Sequence, residues 1–213
     1  GLKFLSGSIR PIATASPSRG KLINIDPSKV SGEGSTLIYF VTGNRGKFEE
    51  ALGILGEVEQ RNIGYPEIQA EALEDVAVFG IWDVLKRLAG PVMIEDAGLF
   101  IDSLRGFPGV YSAYVFDTIG NDGILKLLDG VKERRATFRS VVAYGEPGME
   151  PVLFSGELEG TIALEPRGSG GFGYDPIFRV GEKTIAEMGL DEKNRISHRG
   201  VSIRALKVWL SSR

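Results

Sequence analysis

A short polar turn in the first half of the chain carries residue types that could hold a phosphate group. Residues 42–47 (TGNRGK) follow the apolar run Leu37–Val41 and precede hydrophobic residues at helical spacing. A glycine-bearing turn between a strand and a helix exposes backbone N–H groups at the helix N-terminus, and these attract phosphate. Lys47 adds a positive charge, while Thr42 and Asn44 add short hydrogen-bonding side chains. Simple capping of the helix explains this turn, taken alone, equally well.

Three acidic residues form a candidate metal site. Glu95 and Asp96 follow the apolar run 92–94, and Glu67 lies in an earlier loop after Pro66. α/β proteins commonly build their sites at the carboxyl ends of strands, and carboxylate oxygens suit Mg²⁺. Adjacent strand residues face opposite sides, so only one of the Glu95–Asp96 pair faces a given cleft. Solvated acids at a strand end are the alternative, and the pattern leaves open whether Glu95 contacts the metal.

A glycine-rich segment, residues 168–176 (GSGGFGYDP), could bind a flat ligand. Glycine lets the backbone approach such a ligand closely. Phe172 or Tyr174 could stack on a nucleobase, an interaction worth about 1–3 kcal/mol in nucleic-acid complexes. Asp175 could accept a hydrogen bond from a ring N–H. A flexible loop that covers its own aromatic side chains is the alternative.

A charged segment near the end of the chain, residues 192–200 (EKNRISHRG), precedes the last predicted helix. Ser197 is a suitable N-cap for that helix. Lys193 and Arg199 could meet phosphate, or Arg199 could meet a carbonyl group. A purely structural cap with flanking charges is equally compatible with this pattern.

The overall composition restricts the chemistry that these segments can perform. The chain has no cysteine and one histidine, His198, which excludes thiol nucleophiles, iron–sulfur clusters and multi-histidine metal sites. A net charge of −3 argues against a nucleic-acid-coating protein. No stretch approaches the roughly 20 apolar residues of a membrane span. We therefore expect a soluble, cytoplasmic protein with no nucleic-acid or membrane partner.

Helices and strands are predicted to alternate, which indicates an α/β fold with a mixed sheet. The predicted helices cover 47–55, 73–88, 122–128 and 197–210, the last with Val201, Ala205, Val208 and Trp209 inward, and the predicted strands cover 37–41, 92–94, 137–144 and 152–164. Residues 1–36 are rich in serine and proline without periodicity, so we interpret them as a poorly structured or vector-derived extension. A transit peptide and an arm that wraps the domain are the alternatives. The functional domain then covers residues 37–213.

Five segments in this order resemble the inosine/xanthosine triphosphate pyrophosphatase family, its archaeal branch most of all. The resemblance extends from about Leu37 to the C-terminus and rests on the blocks TGNRGKFEE at 42–50, YPEIQAE at 65–71, IEDAGLFIDSLRGFPGVYSAY at 94–114, GGFGYDPIF at 170–178 and EKNRISHRG at 192–200. It implies one elongated, two-lobed α/β domain around a long mixed sheet, with a central nucleotide cleft. It also implies a homodimer and Mg²⁺-dependent cleavage of the α–β phosphate bond of ITP, dITP and XTP.

The resemblance also assigns roles to individual residues. Asp96 corresponds to the catalytic acid, and Glu67 and Asp96 correspond to the metal ligands. The substrate-binding positions are Thr42, Gly43, Asn44, Lys47, Phe172, Gly173, Tyr174, Asp175, Lys193, His198 and Arg199.

Some positions depart from the family pattern. Ala97 stands where the family usually has serine or threonine, and Phe79 and Ala113 replace basic residues of some members. These differences affect substrate contacts more than the class of reaction. Two alternatives stay open: a related pyrophosphatase that acts on other modified nucleoside triphosphates, and a nucleotide-binding module with weakened catalysis.

Overall fold

The computed structural model describes residues 21–22 and 37–213. The strands are β1 Lys21–Leu22, β2 Ile38–Val41, β3 Val58–Arg61, β4 Val92–Ile101, β5 Pro108–Gly109, β6 Arg135–Gly145, β7 Val152–Ile162, β8 Phe178–Val180 and β9 Lys183–Thr184. The α-helices are α1 Arg45–Leu55, α2 Leu73–Leu85, α3 Ser112–Leu127, α4 Leu190–Ile196 and α5 His198–Ser211. Short 3₁₀ turns cover Asp102–Leu104 and Ile185–Glu187.

The strands of the described part form one mixed sheet, which confirms the predicted α/β class. Its order is β3-β2-β4-β6-β7-β8-β9, with β5 beside β4 and β1 beside β7. β2 runs parallel to β3 and β4, whereas β4, β6 and β7 are antiparallel neighbours. Parallel strands with crossover helices at one edge and long antiparallel strands at the other are typical of a mixed sheet.

The three long strands connect two hydrophobic regions. At one end of these strands, α2 packs on one face of the sheet, while α1 and α5 pack on the other face. At the other end, α3 and the segment before β8 enclose a separate core around Leu99, Ile124, Phe138 and Phe178. The molecule is therefore extended along β4, β6 and β7, with a core on each face of the sheet at one end and a third core at the other, as the family resemblance implied.

The predicted end of the strand at Ile94 is wrong. β4 continues through Glu95 and Asp96 to Ile101, and it pairs with β6 over that whole length, from Val92↔Gly145 to Ile101↔Ala136. The two acids therefore lie in the middle of a strand. The ladder can continue because ion pairs and hydrogen bonds from other elements compensate the buried Glu95 carboxylate.

The last helix approaches the sheet very closely at one glycine. Ser197 caps α5 by accepting a hydrogen bond from Gly200 N at 2.8 Å, which confirms the predicted cap. A Cβ atom at Gly156 of β7 would lie 2.1 Å from the carbonyl oxygen of His198. The bare backbone of Gly156 therefore fixes where α5 begins. The predicted inward face is wrong at Val201, which is exposed, because Ile203 and Leu206 take the buried positions.

The predicted extension falls mainly outside the described residues. Residues 1–20 and 23–36 lie there, while β1 pairs in parallel with β7 at Lys21↔Val152. The boundary at residue 36 stays a prediction. Within the described part of the chain, no helix is long and apolar enough to cross a membrane.

Candidate active site

The turn before α1 combines helix capping with a positive charge. Asn44 is the N-cap of α1, and its Oδ1 accepts a hydrogen bond from the backbone N–H of Lys47 at 3.0 Å. Thr42 Oγ1 accepts from Asn44 N at 3.1 Å, which tightens the turn. Asn44 and Lys47 both line the cavity described below. The capping interpretation is thus confirmed, and the same geometry places Lys47 at the helix N-terminus, in the wall of the cavity.

Glu95 is fully buried and bound by three elements at once. Its Oε1 accepts a hydrogen bond from Ser140 Oγ at 2.7 Å and lies 3.1 Å from Arg199 Nε. Its Oε2 lies 2.9 Å from Lys47 Nζ. Burial alone would raise the pKa of Glu95, but the charges of Arg199 and Lys47 and these hydrogen bonds outweigh burial and hold it well below its ordinary range. Glu95 is therefore an ionised structural anchor in this arrangement.

The pKa of Asp96, the next residue, is shifted in the opposite direction. Burial raises its pKa to about 7, with the negative charges of Glu95 and Glu67 adding to the effect and Lys47 opposing it. Its Oδ1 accepts only the adjacent Ala97 N–H, at 3.0 Å. The carboxyl group is thus partly buried and close to two other acids, and the charge of Lys47 offsets these effects only in part, so it attracts protons or cations near neutral pH.

This pKa shift predicts a pH dependence of stability in metal-free protein. The native pKa of Asp96 lies above the unfolded value of 3.8, so the unfolded chain loses this proton at lower pH than the native protein does. The contribution of Asp96 to the free energy of unfolding is therefore present at low pH and is lost as pH rises from about 4 to 7. We expect Asp96→Asn to remove that loss, so that the variant gains stability over wild type by about 4 kcal/mol between pH 4 and pH 8. Urea denaturation in EDTA at each pH measures the difference.

The difference in stability between wild type and Asp96→Asn reports on Asp96, because the other titrating groups are present in both proteins. One such group is His198, since burial and the charge of Arg199 lower its pKa well below its usual value. Asp102→Asn, at an exposed position just after β4, is the matched control and should follow wild type. Parallel stability curves for wild type and Asp96→Asn would contradict a raised pKa at Asp96.

The acids fit a magnesium ion of the kind that also binds phosphate. Mg²⁺ typically uses one or two protein carboxylates together with substrate phosphates and water. Within residues 21–22 and 37–213, no three acidic or histidine side chains converge into a cage for a metal ion. Asp96 and the exposed Glu67 lie near enough for their negative charges to interact, and a bound cation would offset this repulsion. The donor set thus suits a metal shared with a phosphate.

A cavity of about 420 Å³ joins the turn to the glycine-rich loop. Its lining includes Asn44, Lys47 and Ala97 from the region of the turn, and Phe138, His198 and Arg199 from β6 and α5. The remaining lining comes from β4, α3 and the loop before β8: Gly98, Leu99, Ser112, Ala113, Phe116, Asp117, Phe172, Gly173, Tyr174 and Asp175. The predicted phosphate-binding turn and the predicted base pocket are therefore two ends of the same space.

The aromatic wall of this cavity is held firmly. Tyr174 OH donates to the carbonyl oxygen of Ser112 at 2.9 Å, and its ring meets Phe116 edge to face. His198 stacks on Phe138 with ring centroids 4.7 Å apart, and its buried Nδ1 has no hydrogen-bond partner among the residues that the structure describes. The neutral imidazole is thus positioned with hydrogen-bonding capacity still available.

Phe172 lies where the loop meets the phosphate-binding turn. Its ring occupies the space that a Cβ at Gly46 would need, since that Cβ would lie 2.6 Å from Phe172 Cδ1. Lys193 Nζ stands 4.3 Å from the centre of the same ring. The glycine in the turn therefore permits contact between the two ends of the cavity.

The base-pocket residues belong to a buried network of alternating charges. Lys193 Nζ lies 2.8 Å from Asp175 Oδ2 and 3.0 Å from Glu50 Oε1. Arg199 NH1 donates to Glu50 Oε1 at 3.2 Å, and Ser197 Oγ donates to Glu50 Oε2 at 3.4 Å. Lys193 and Asp175 therefore bind each other, and Asp175 also lines the cavity; their roles in substrate binding stay predictions.

Sequence reasoning missed Glu50, Ser140 and Tyr65. Glu50 lies three residues after Lys47, inside the quoted motif, but its partner Lys193 is 143 residues away in sequence and no local pattern connects the two. Burial together with Asp96, Glu95 and Glu67 raises the pKa of Tyr65, which places this residue beside the acidic cluster. Its position in the motif that also contains Glu67 is the one signal that could have identified it.

A second cavity, of about 480 Å³, lies at the far end of β6 and β7. It is lined by several basic residues, but Arg134 donates to the carbonyl oxygens of Ile162, Leu128 and Ala163. Arg167 is paired with Glu187 at 2.9 Å. These cations hold chain segments together, so this cavity is the weaker candidate for chemistry despite its larger volume.

Fold and site together define a class: an α/β protein with a cleft lined by a lysine-bearing helix N-terminus and an aromatic wall, beside which the acids Glu95 and Asp96 lie on β4 next to the lining residue Ala97. The model of the Ham1 family matches residues 38–209, and the chain belongs to that family. Annotated relatives named dITP/XTP pyrophosphatase include one from Methanopyrus kandleri, 53% identical over 178 residues, which covers 81% of this chain and 95% of the relative.

A second relative and a solved structure support the same family. The dITP/XTP pyrophosphatase of Thermococcus kodakarensis is 53% identical over 181 residues, covering 81% of this chain and 96% of its own length. Among solved structures, the Ham1 protein of Staphylococcus aureus superposes with a TM-score of 0.73 at 30% identity, over 83% of this chain and 99% of that one. The family resemblance inferred from the five motifs is thus confirmed.

Proposed function

We propose that this protein hydrolyses the non-standard purine nucleoside triphosphates ITP, dITP and XTP to the monophosphate and pyrophosphate. The carrying observation is that one cavity joins the Lys47 end to the His198 and Arg199 end. The names of the relatives from Methanopyrus kandleri and Thermococcus kodakarensis support the substrate class.

At the phosphate end, the chain's own groups position and neutralise the triphosphate. Lys47 supplies a charge at the N-terminus of α1, where the helix dipole also favours an anion. Thr42, Gly43 and Asn44 form the turn before α1, and we assign these residues to contact with the phosphates. Phosphoryl transfer needs positioning and charge neutralisation more than covalent help, and this end offers both.

Asp96 is the residue that we assign to the attacking water. Its raised pKa of about 7 suits a general base near neutral pH, because a base is most effective when its pKa lies near the working pH. Glu67 and Asp96 would hold Mg²⁺, which when bound would neutralise phosphate oxygens and orient the triphosphate. Attack on the α-phosphorus then releases pyrophosphate.

At the base end, selectivity would come from donors facing the 6-oxo group of the purine. The His198 imidazole is neutral and has a free buried nitrogen, and Arg199 lines the same wall. Adenine carries an amino group at that position, which would leave these donors unpaired. Such mismatches at a hydrogen-bonding site discriminate by factors on the order of 10⁴.

A product-resolved assay tests this function directly. Purified protein with Mg²⁺ is supplied separately with ITP, XTP, dITP, GTP, ATP and dUTP, and pyrophosphate and orthophosphate are quantified. We expect pyrophosphate from the first three substrates, little from ATP, and none in EDTA. Orthophosphate as the first product would contradict α–β cleavage. Preference for dUTP would favour a pyrophosphatase for other modified nucleotides, and binding without turnover would favour a nucleotide-binding module.

We also propose that residues 37–213 form the catalytic unit, that the protein is a homodimer and that it works in the cytoplasm. The family match over 38–209 supports the first point. Sedimentation of the full chain tests the second, and fractionation of the source cells tests the third.

A further inference from the structure

We propose that Glu95 is a positioning residue that couples the phosphate end of the cleft to the base end. Lys47 comes from α1 and Arg199 from α5, and both contact the single Glu95 carboxylate. Lys47 Nζ also lies 3.3 Å from the carbonyl oxygen of Glu95, to which it donates. The inference rests on the proposed function, because it assigns the two ends to triphosphate and purine.

The carboxylate cannot lose a partner without consequence. Its side chain is 0% exposed, and an unpaired charge at that depth is strongly unfavourable. When a triphosphate attracts Lys47, compensation of Glu95 depends more on Arg199 and on the hydrogen bond from Ser140. Occupation of the phosphate end therefore favours the Arg199 position that completes the base pocket.

The chain of charges continues from Arg199 into the loop that carries Phe172. Arg199 contacts Glu50, which binds Lys193, and Lys193 binds Asp175. Asp175 Oδ2 accepts a hydrogen bond from Phe172 N at 2.8 Å. The three ionic links are buried, the last hydrogen bond is partly buried, and all four are between 2.8 and 3.2 Å long, so a displacement at Glu95 reaches the base-pocket loop through contiguous contacts.

Such coupling is reciprocal, so either ligand strengthens binding of the other by the same factor. Inosine occupies the base end without phosphates, and inorganic tripolyphosphate occupies the phosphate end without a base. We expect saturating inosine to lower the Kd of tripolyphosphate for wild-type protein by about fivefold or more, the lower limit of common coupling strengths. Titration calorimetry of the full chain in EDTA measures the Kd of tripolyphosphate with and without inosine, in the absence of turnover.

Glu95→Gln removes the charge at nearly constant shape. We expect it to reduce the inosine effect, which is the factor by which inosine lowers the Kd of tripolyphosphate, to less than twofold. We also expect it to lower kcat for XTP more than it changes KM. Glu157→Gln is the matched control, since Glu157 pairs with Arg139 at an exposed position on β7. It should keep the full inosine effect. A Glu95→Gln protein that is folded and retains the wild-type effect would overturn the proposal.

A milder variant keeps the test valid if Glu95→Gln does not fold. Ser140→Ala preserves all charges and removes one hydrogen bond to Glu95. We expect it to reduce the inosine effect at least twofold, and an unchanged effect would overturn the coupling role.

The outcomes for the two proposals are separable. Absence of pyrophosphate release from XTP would contradict the proposed function, whereas the two-ligand binding measurement would still report on coupling.

Discussion

Replacement of Asp96 by asparagine should lower the turnover of XTP by about 10² to 10⁴-fold, the range that a positioned general base commonly contributes. The side chain lies beside Lys47 and Glu67, and its pKa of about 7 lets it hold or accept a proton near neutral pH. Asparagine preserves the size of the group and removes both the proton acceptor and a negative oxygen for the metal. The phosphate-binding turn and the base pocket are left intact.

The binding measurement separates catalysis from recognition. The Kd of XTP for Asp96→Asn, determined by calorimetry, should stay within about tenfold of the wild-type value obtained in EDTA, since the recognition groups line the cavity and Asp96 is not among its lining residues. Pyrophosphate release under single-turnover conditions reports the loss of rate. Asp102→Asn serves as the control at an exposed position after the same strand. Full activity of Asp96→Asn would remove this residue from its assigned role.

Local sequence patterns anticipated the elements that hold the site. The apolar run before the Thr42 turn, the Ser197 cap and the alternation of helices and strands all appear as predicted. These features depend on neighbours within a few residues, through capping, glycine in turns and hydrophobic spacing. Assignment of the remaining roles relied on resemblance to a family rather than on the pattern itself.

The arrangement around Glu95 could not be predicted from local patterns. Strand-end acids are usually solvated, and the pair Glu95–Asp96 suggested such an end. The strand instead continues, because Arg199 and Lys47 arrive from α5 and α1 to compensate the buried carboxylate. Partners that are 48 and 104 residues away in sequence decide both the length of β4 and the different protonation of its two acids. Only the tertiary structure brings these charges together.

Glu50 illustrates the same dependence and gives the largest expected change in stability. Its side chain is 1% exposed and lies against two cations, Lys193 at 3.0 Å and Arg199 at 3.2 Å. Removal of one partner from a buried ionic group costs about 3–5 kcal/mol, because the remaining charges lose compensation. We expect Glu50→Ala to lower the free energy of unfolding by that amount and Tm by roughly 6–20 °C for a chain of this size.

The adjacent residue provides the control for Glu50→Ala. Glu49 is on the same helix and pairs with Arg45 at 2.7 Å, but its side chain is 48% exposed. Exposed pairs of this kind contribute about 0.3–0.5 kcal/mol, so Glu49→Ala should shift Tm by less than about 2 °C. Urea and thermal unfolding of both variants measure the contrast, and equal Tm values would show that the buried network does not stabilise the fold. A folded Glu50→Ala protein should also lose selectivity for XTP over ATP, since Arg199 and Lys193 would no longer share an anchor beneath the base pocket.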